Sequence, residues 1–135
     1  MDKYLGNGVH HIGQLLASLF LAILFLQSGL DKVFDWKGNL SYFKSHFSKS
    51  PLKASVPLLL PVITIFETAA GVLCGLGVLE IIAKSTMHFA FAGTVVAGLN
   101  IVMLFFGQRM AKDYEGAAVL ASYFVLILFA LNLYR

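Results

Sequence analysis

The sequence predicts an all-α integral membrane protein, a four-helix bundle with an interfacial amphipathic helix between helices one and two. Three observations carry that prediction. Hydrophobic residues make up 59% of the 135 residues and charged ones only 13%, where soluble domains hold roughly 45–50% and about 25%. The mean hydropathy is +0.81. The apolar residues gather into four runs, each long enough to cross about 30 Å of hydrocarbon at about 1.5 Å per residue, and the connections between them hold most of the charges. Such a chain has too little polar surface to cover itself in water, and its length suits a single transmembrane domain over residues 1–135.

Residues 1–11 read as a short polar lead with Gly6 and Gly8, and the first span runs from about residue 10 to 34. Its apolar run, about Ile12 to Leu26, is too long for a signal-peptide core and is followed by Gln27-Ser28-Gly29-Leu30-Asp31-Lys32 rather than a small-residue cleavage site, so it is expected to remain as a helix. One side carries Gln14, Ser18, Ala22, Gly29 and Lys32, a small and polar stripe suited to close helix packing. In the next connection Trp36, Leu40, Phe43 and Phe47 recur at spacings of four, three and four, with lysines elsewhere on the wheel, which predicts a helix lying in the membrane interface. Ser50-Pro51 closes it with a turn.

The second span is expected at about 56–79, with Pro57 tolerated in the first turn, Pro61 introducing a kink, and Thr64, Glu67, Thr68, Gly71 and Gly75 on one face. The third, about 85–106, places Gly93 and Ala97 at a small-x-x-x-small spacing with Asn100 one turn later. The fourth, about 114–134, begins with Gly116 and Ala117 and ends at Tyr134, a residue suited to an interface.

Seven of the ten lysines and arginines fall in the first and third connections or their edges (Lys32, Lys37, Lys44, Lys49, Lys53, Arg109, Lys112), against Lys3, Lys84 and Arg135 on the other side. The positive-inside rule then puts those connections in the cytoplasm and both termini outside. The net charge of +3 is explained by this topology, and no nucleic-acid partner is implied. A single cysteine, Cys74, excludes an internal disulfide or a Cys-x-x-Cys pair and reads as inert packing. No hydrolytic triad, metal cluster or phosphate loop is recognisable, and His46 reads as a surface residue. His10 or His11 could lie level with His88, one requirement of a haem site, but interfacial histidines are commonplace and haem is disfavoured.

Because consecutive spans alternate in direction, Gln27, Asp31 and Lys32 are expected at the depth of Arg109, Asp113 and Glu115, with Asn100 deeper and Glu67 about 16 Å into its span. An isolated carboxylate near the midplane costs about 2.5–3.5 kcal/mol on insertion scales, so Glu67 should be neutral, paired or facing a hydrated cavity. Three readings stay open. Glu67 pins the bundle by bonding Asn100, Thr64 or Thr68 while Lys32 and Arg109 reach the headgroups. Alternatively, Gln27, Asp31, Lys32, Glu67, Asn100, Arg109 and Asp113 line a pocket for a polar-headed lipophile such as a quinone. The third reading is a substrate or ion path. Gly29, Gly71, Gly93 and Ala97 are the expected helix-packing positions.

The segment from Phe25 to Trp36 with its Ser28-Gly29-x-x-Lys32 element, the pattern Glu67-x-x-x-Gly71-Val72-Leu73 followed by Gly75 and Gly77, and the connection Arg109-Met110-Ala111-Lys112-Asp113-Tyr114 resemble the DoxX family of small bacterial membrane proteins. The resemblance covers about residues 12–133, and Gly29, Lys32, Glu67 and Gly71 are the positions it supports; Gln14 stands where many members carry an arginine. It implies a four-helix bundle of the bacterial inner membrane and a link to quinone-coupled redox processes, since the related DoxD is a subunit of a thiosulfate:quinone oxidoreductase. More distant relatives that act in assembly or cargo handling leave open a non-enzymatic assembly or scaffolding factor for membrane or exported partners, and no catalytic residue is implied. The glycine-lined faces also suit a homo-oligomer. A reporter fused to the C-terminus is expected to show an extracytoplasmic location, and a cytoplasmic signal overturns the topology.

Overall fold

A computed structural model describes residues 2–134, with side chains from His11 to Tyr134. The side chains of Lys3, His10 and Arg135 lie outside these. The elements are α1 (Asp2–Phe34), α2 (Trp36–His46), a 3-10 turn at Lys53–Ser55, α3 (Val56–Lys84), α4 (His88–Met110) and α5 (Tyr114–Leu133), with no strand among the described residues. α1, α3, α4 and α5 are long and apolar enough to cross a membrane. α3 is the centre of the bundle, packed between α1 and α4; α5 lies on α4 and touches α1. The chain is a multi-pass membrane protein whose outward Leu16, Ile65, Leu79, Val125 and Phe129 are exposed to lipid rather than buried.

Close helix approach at small residues builds the interior. A Cβ on Gly29 would lie 2.5 Å from Thr68 Oγ1, one on Gly71 2.6 Å from the Leu26 backbone nitrogen, and one on Gly93 2.8 Å from the Cys74 nitrogen. These contacts set α1 on α3 and α3 on α4 backbone to backbone, which gains the dispersion and packing that association in lipid must rely on. Leu21, Ala70, Cys74, Ile81, Ala97 and Ile127 fill the core.

Several boundaries differ from expectation. α1 starts at Asp2, absorbing the polar lead, because isolated glycines weaken a helix without ending it. α3 runs through to Lys84: Gly77 serves packing, with a Cβ there 2.6 Å from the Ala90 nitrogen, and the helix ends where Ser85 turns left-handed at φ 54°. α4 continues to Met110, with Gly107 buried beside Phe47. The amphipathic helix is present as α2, capped by the Asp35 carboxylate, which accepts from the Gly38 amide at 3.2 Å.

At one end of the bundle the buried polar groups satisfy one another. Gln14 Nε2 donates to the Leu133 carbonyl at 2.6 Å, one of the last carbonyls of α5. Ser18 Oγ and Tyr134 Oη share a 2.8 Å hydrogen bond, and Thr94 Oγ1 donates to the Ala90 carbonyl at 2.7 Å.

The glycine contacts make a paired prediction. Gly71→Ala should destabilise by about 1–3 kcal/mol through overpacking, seen as a lowered melting temperature in detergent. Gly75→Ala should leave it unchanged, since nothing lies within 4 Å of a Cβ there.

Candidate functional site

At the other end of the bundle the polar groups are not all satisfied. Because Gly29 sits on Thr68 and Gly71 on Leu26, the last turn of α1 falls beside the middle of α3. Lys32 Nζ consequently lies 2.9 Å from Glu67 Oε2, with side-chain exposures of 12% and 4%. The contact is one of charge rather than a well-directed hydrogen bond. Lys32 Nζ is also 3.4 Å from the Ser28 carbonyl and 6.0 Å from the centre of the Phe43 ring, so α2 covers the ammonium with an aromatic face.

Asn100, on α4, approaches the same carboxylate and is fully buried. The Asn100 amide is within interaction range of the Glu67 carboxylate, but neither its Oδ1 nor its Nδ2 makes a well-directed hydrogen bond, and Thr68 Oγ1 has no partner. Thr64 is engaged elsewhere, donating to the Leu60 carbonyl at 2.7 Å. The site therefore offers an ammonium, a carboxylate, an amide and a hydroxyl with unused bonding capacity.

The other sequence-derived candidates fall outside it. Gln27 and Asp31 are exposed on the outer side of α1. Arg109 is exposed, its guanidinium 5.0 Å from the centre of the Tyr114 ring. Asp113 caps α5, accepting from the Gly116 amide at 3.0 Å. Lys32 was expected level with Arg109 but faces Glu67 and the Asn100 side of α4, and Asn100 precedes Arg109 by about 13 Å of helix. Spans of unequal length need not end at one depth.

That offset leaves the first turns of α3 without α1 beside them. α2 and the end of α4 flank them instead, around a cleft of about 470 Å³ walled by Phe43, Phe47, Leu60, Ile63, Met103 and Phe106 among others, with Gln108 its one polar lining residue. His46 is half-buried rather than a free surface residue: its Nε2 is 2.6 Å from Gln108 Oε1 and 3.6 Å from Asp113 Oδ2, fastening α2 to the α4–α5 connection. The four-three-four spacing of the aromatics marks Phe43's face, but nothing in the sequence shows that Phe43 meets Lys32 or that His46 meets Gln108. His88 is exposed, with Nδ1 3.1 Å from Glu80 Oε2, while Glu80 Oε1 accepts from the Phe89 amide at 3.0 Å and so holds the start of α4. No cluster of three His, Cys, Asp or Glu side chains able to hold a metal occurs among the described residues.

The model of the DoxX family matches residues 13–106, taking in α1 from Gly13, α2, α3 and most of α4, and with them Lys32, Glu67 and Asn100. The chain belongs to the DoxX family. Neither the curated proteins nor the solved structures provide a match. In this DoxX-family chain the matched region carries the whole unsatisfied polar site, whereas α5 lies beyond it and contributes to the opposite, satisfied end through Leu133 and its C-cap Tyr134.

Removing one member of a buried pair leaves an uncompensated charge, at about 3–5 kcal/mol. Lys32→Met should therefore lower the melting temperature more than the double change Lys32→Met with Glu67→Gln, measured by thermal unfolding in detergent.

Proposed function

We propose that this DoxX-family protein is a quinone-interacting accessory subunit of a redox system in the bacterial inner membrane, with Lys32, Glu67 and Asn100 receiving the polar head. The observation that carries this reading is the fully buried Asn100, whose amide makes no well-directed hydrogen bond, beside the largely buried Lys32–Glu67 contact. Each buried polar group left unmet costs about 1–3 kcal/mol. A carbonyl-bearing lipophile supplies what is missing: Asn100 Nδ2 and Lys32 Nζ donate to a carbonyl oxygen, and Glu67 accepts from the hydroxyl of the reduced form. A carboxylate paired to an ammonium can also take that hydroxyl's proton when a partner subunit accepts the electrons. Lys32 is the more exposed member of the pair, which supports entry of the ligand past its side of the site.

The test is the lipid extract of protein purified in mild detergent from quinone-containing membranes. Wild type should carry quinone, and Asn100→Leu and Glu67→Gln should each reduce it about tenfold or more, the loss expected for a hydrogen bond to a charged or buried partner, with the variants still folded by size-exclusion profile. Equal quinone in all three, or none in wild type, overturns the assignment and favours an assembly or scaffolding role.

A further inference from the structure

The cleft between α2, α3 and α4 is separate from the polar site, since Lys32, Glu67 and Asn100 are absent from its lining and the Phe43 ring stands at the boundary, walling the cleft and facing Lys32 Nζ. Beside it lies a second, smaller cleft of about 330 Å³ formed by Lys44, Lys53, Ala54 and Pro57. No residue lines both, but the same elements border them: Lys44 follows Phe43 on α2, Lys53 follows Leu52, and Pro57 follows Val56 at the start of α3. Lys44 and Lys53 are both exposed, and neither forms an ion pair among the described residues. The amino end of α3, which has no side-chain cap, adds its positive dipole at the same place.

We propose that these paired clefts are a binding site for one phospholipid with an anionic headgroup, its phosphate between Lys44 and Lys53 and an acyl chain in the apolar cleft. The arrangement matches an amphiphile of that charge: a nearly all-apolar trough, offering only Gln108 as a polar wall, adjoins two unpaired cations on the lysine-rich connection. A zwitterionic headgroup gains less from two lysines, and a free anion makes no use of the trough. The absence of α1 from the first turns of α3 is what opens the trough, so the lipid would complete the packing that the helix register leaves unfinished.

Native mass spectrometry of the detergent-purified protein titrated with phosphatidylglycerol or with phosphatidylcholine of the same chains tests this. Phosphatidylglycerol should bind more tightly. Lys44→Ala with Lys53→Ala should weaken it roughly tenfold or more, given about fivefold per lysine, and leave phosphatidylcholine unchanged; Lys37→Ala with Lys84→Ala should change neither. Val62→Trp, which fills the trough, should weaken both lipids. Equal binding of the two lipids to wild type, equal loss in the two lysine pairs, or full competition by inorganic phosphate overturns the proposal. Asn100→Leu, which removes a quinone contact but keeps the Lys32–Glu67 pair, should keep phosphatidylglycerol binding, so failure here is distinguishable from failure of the quinone assignment.

Discussion

The Lys32–Glu67 contact is the constraint on which the rest of the arrangement depends. A carboxylate two-fifths of the way along an apolar helix is costly in hydrocarbon, by about 2.5–3.5 kcal/mol on insertion scales, unless a cation or a polar neighbour meets it. Lys32 can do so only if the last turn of α1 lies against the middle of α3. Gly29 on Thr68 and Gly71 on Leu26 allow that approach, because any side chain at either glycine would collide with backbone or a hydroxyl. Electrostatics and close packing thus select the same register, and neither alone would suffice: charge attraction without the glycines leaves the helices too far apart.

The same register determines the shape of the lysine-rich end. α1 finishes at Phe34, short of the amino end of α3, so the helix–helix contact available farther along the bundle is missing there. α2 partly replaces it, laying Phe43 and Phe47 against α3 and α4, and the His46–Gln108 hydrogen bond fastens it. An eleven-residue helix has less apolar surface than a spanning helix, and the result is a cleft rather than a closed core.

Fold class and the four spans were legible in the sequence because apolar run length and the clustering of charge respond to the bilayer directly. So was the need of Glu67 for a partner, which Lys32 meets at 2.9 Å, since an intramembrane charge is too expensive to stand alone. The membership of the site was not. Counting from the ends of the spans puts Gln27, Asp31, Lys32, Arg109 and Asp113 at equal depth, but counting carries no information about how one helix slides along another. Gly29 and Gly71 set that slide, but a glycine in a sequence does not say which backbone it meets; Gly75, one turn from Gly71, meets none. Asp113 and Glu80 show a related limit: in a short connection a carboxylate that caps a helix cannot be told from one that binds a ligand.

The contrast between the two ends of the bundle bears most directly on function. Both contain buried polar side chains from several helices. At the Tyr134 end Gln14 finds the Leu133 carbonyl, Ser18 finds Tyr134 and Thr94 finds Ala90, as a purely structural cluster should. At the Glu67 end the same protein leaves the fully buried Asn100 and the enclosed Thr68 hydroxyl without a well-directed hydrogen bond. A polar residue serving only to join helices would have been bonded there as readily as at the other end, and a leucine would have packed at less cost. The unused capacity lies next to Lys32, the one lysine among the described residues in contact with a buried carboxylate, and this contrast is what supports the proposed binding of a carbonyl or hydroxyl group at this end and not the other.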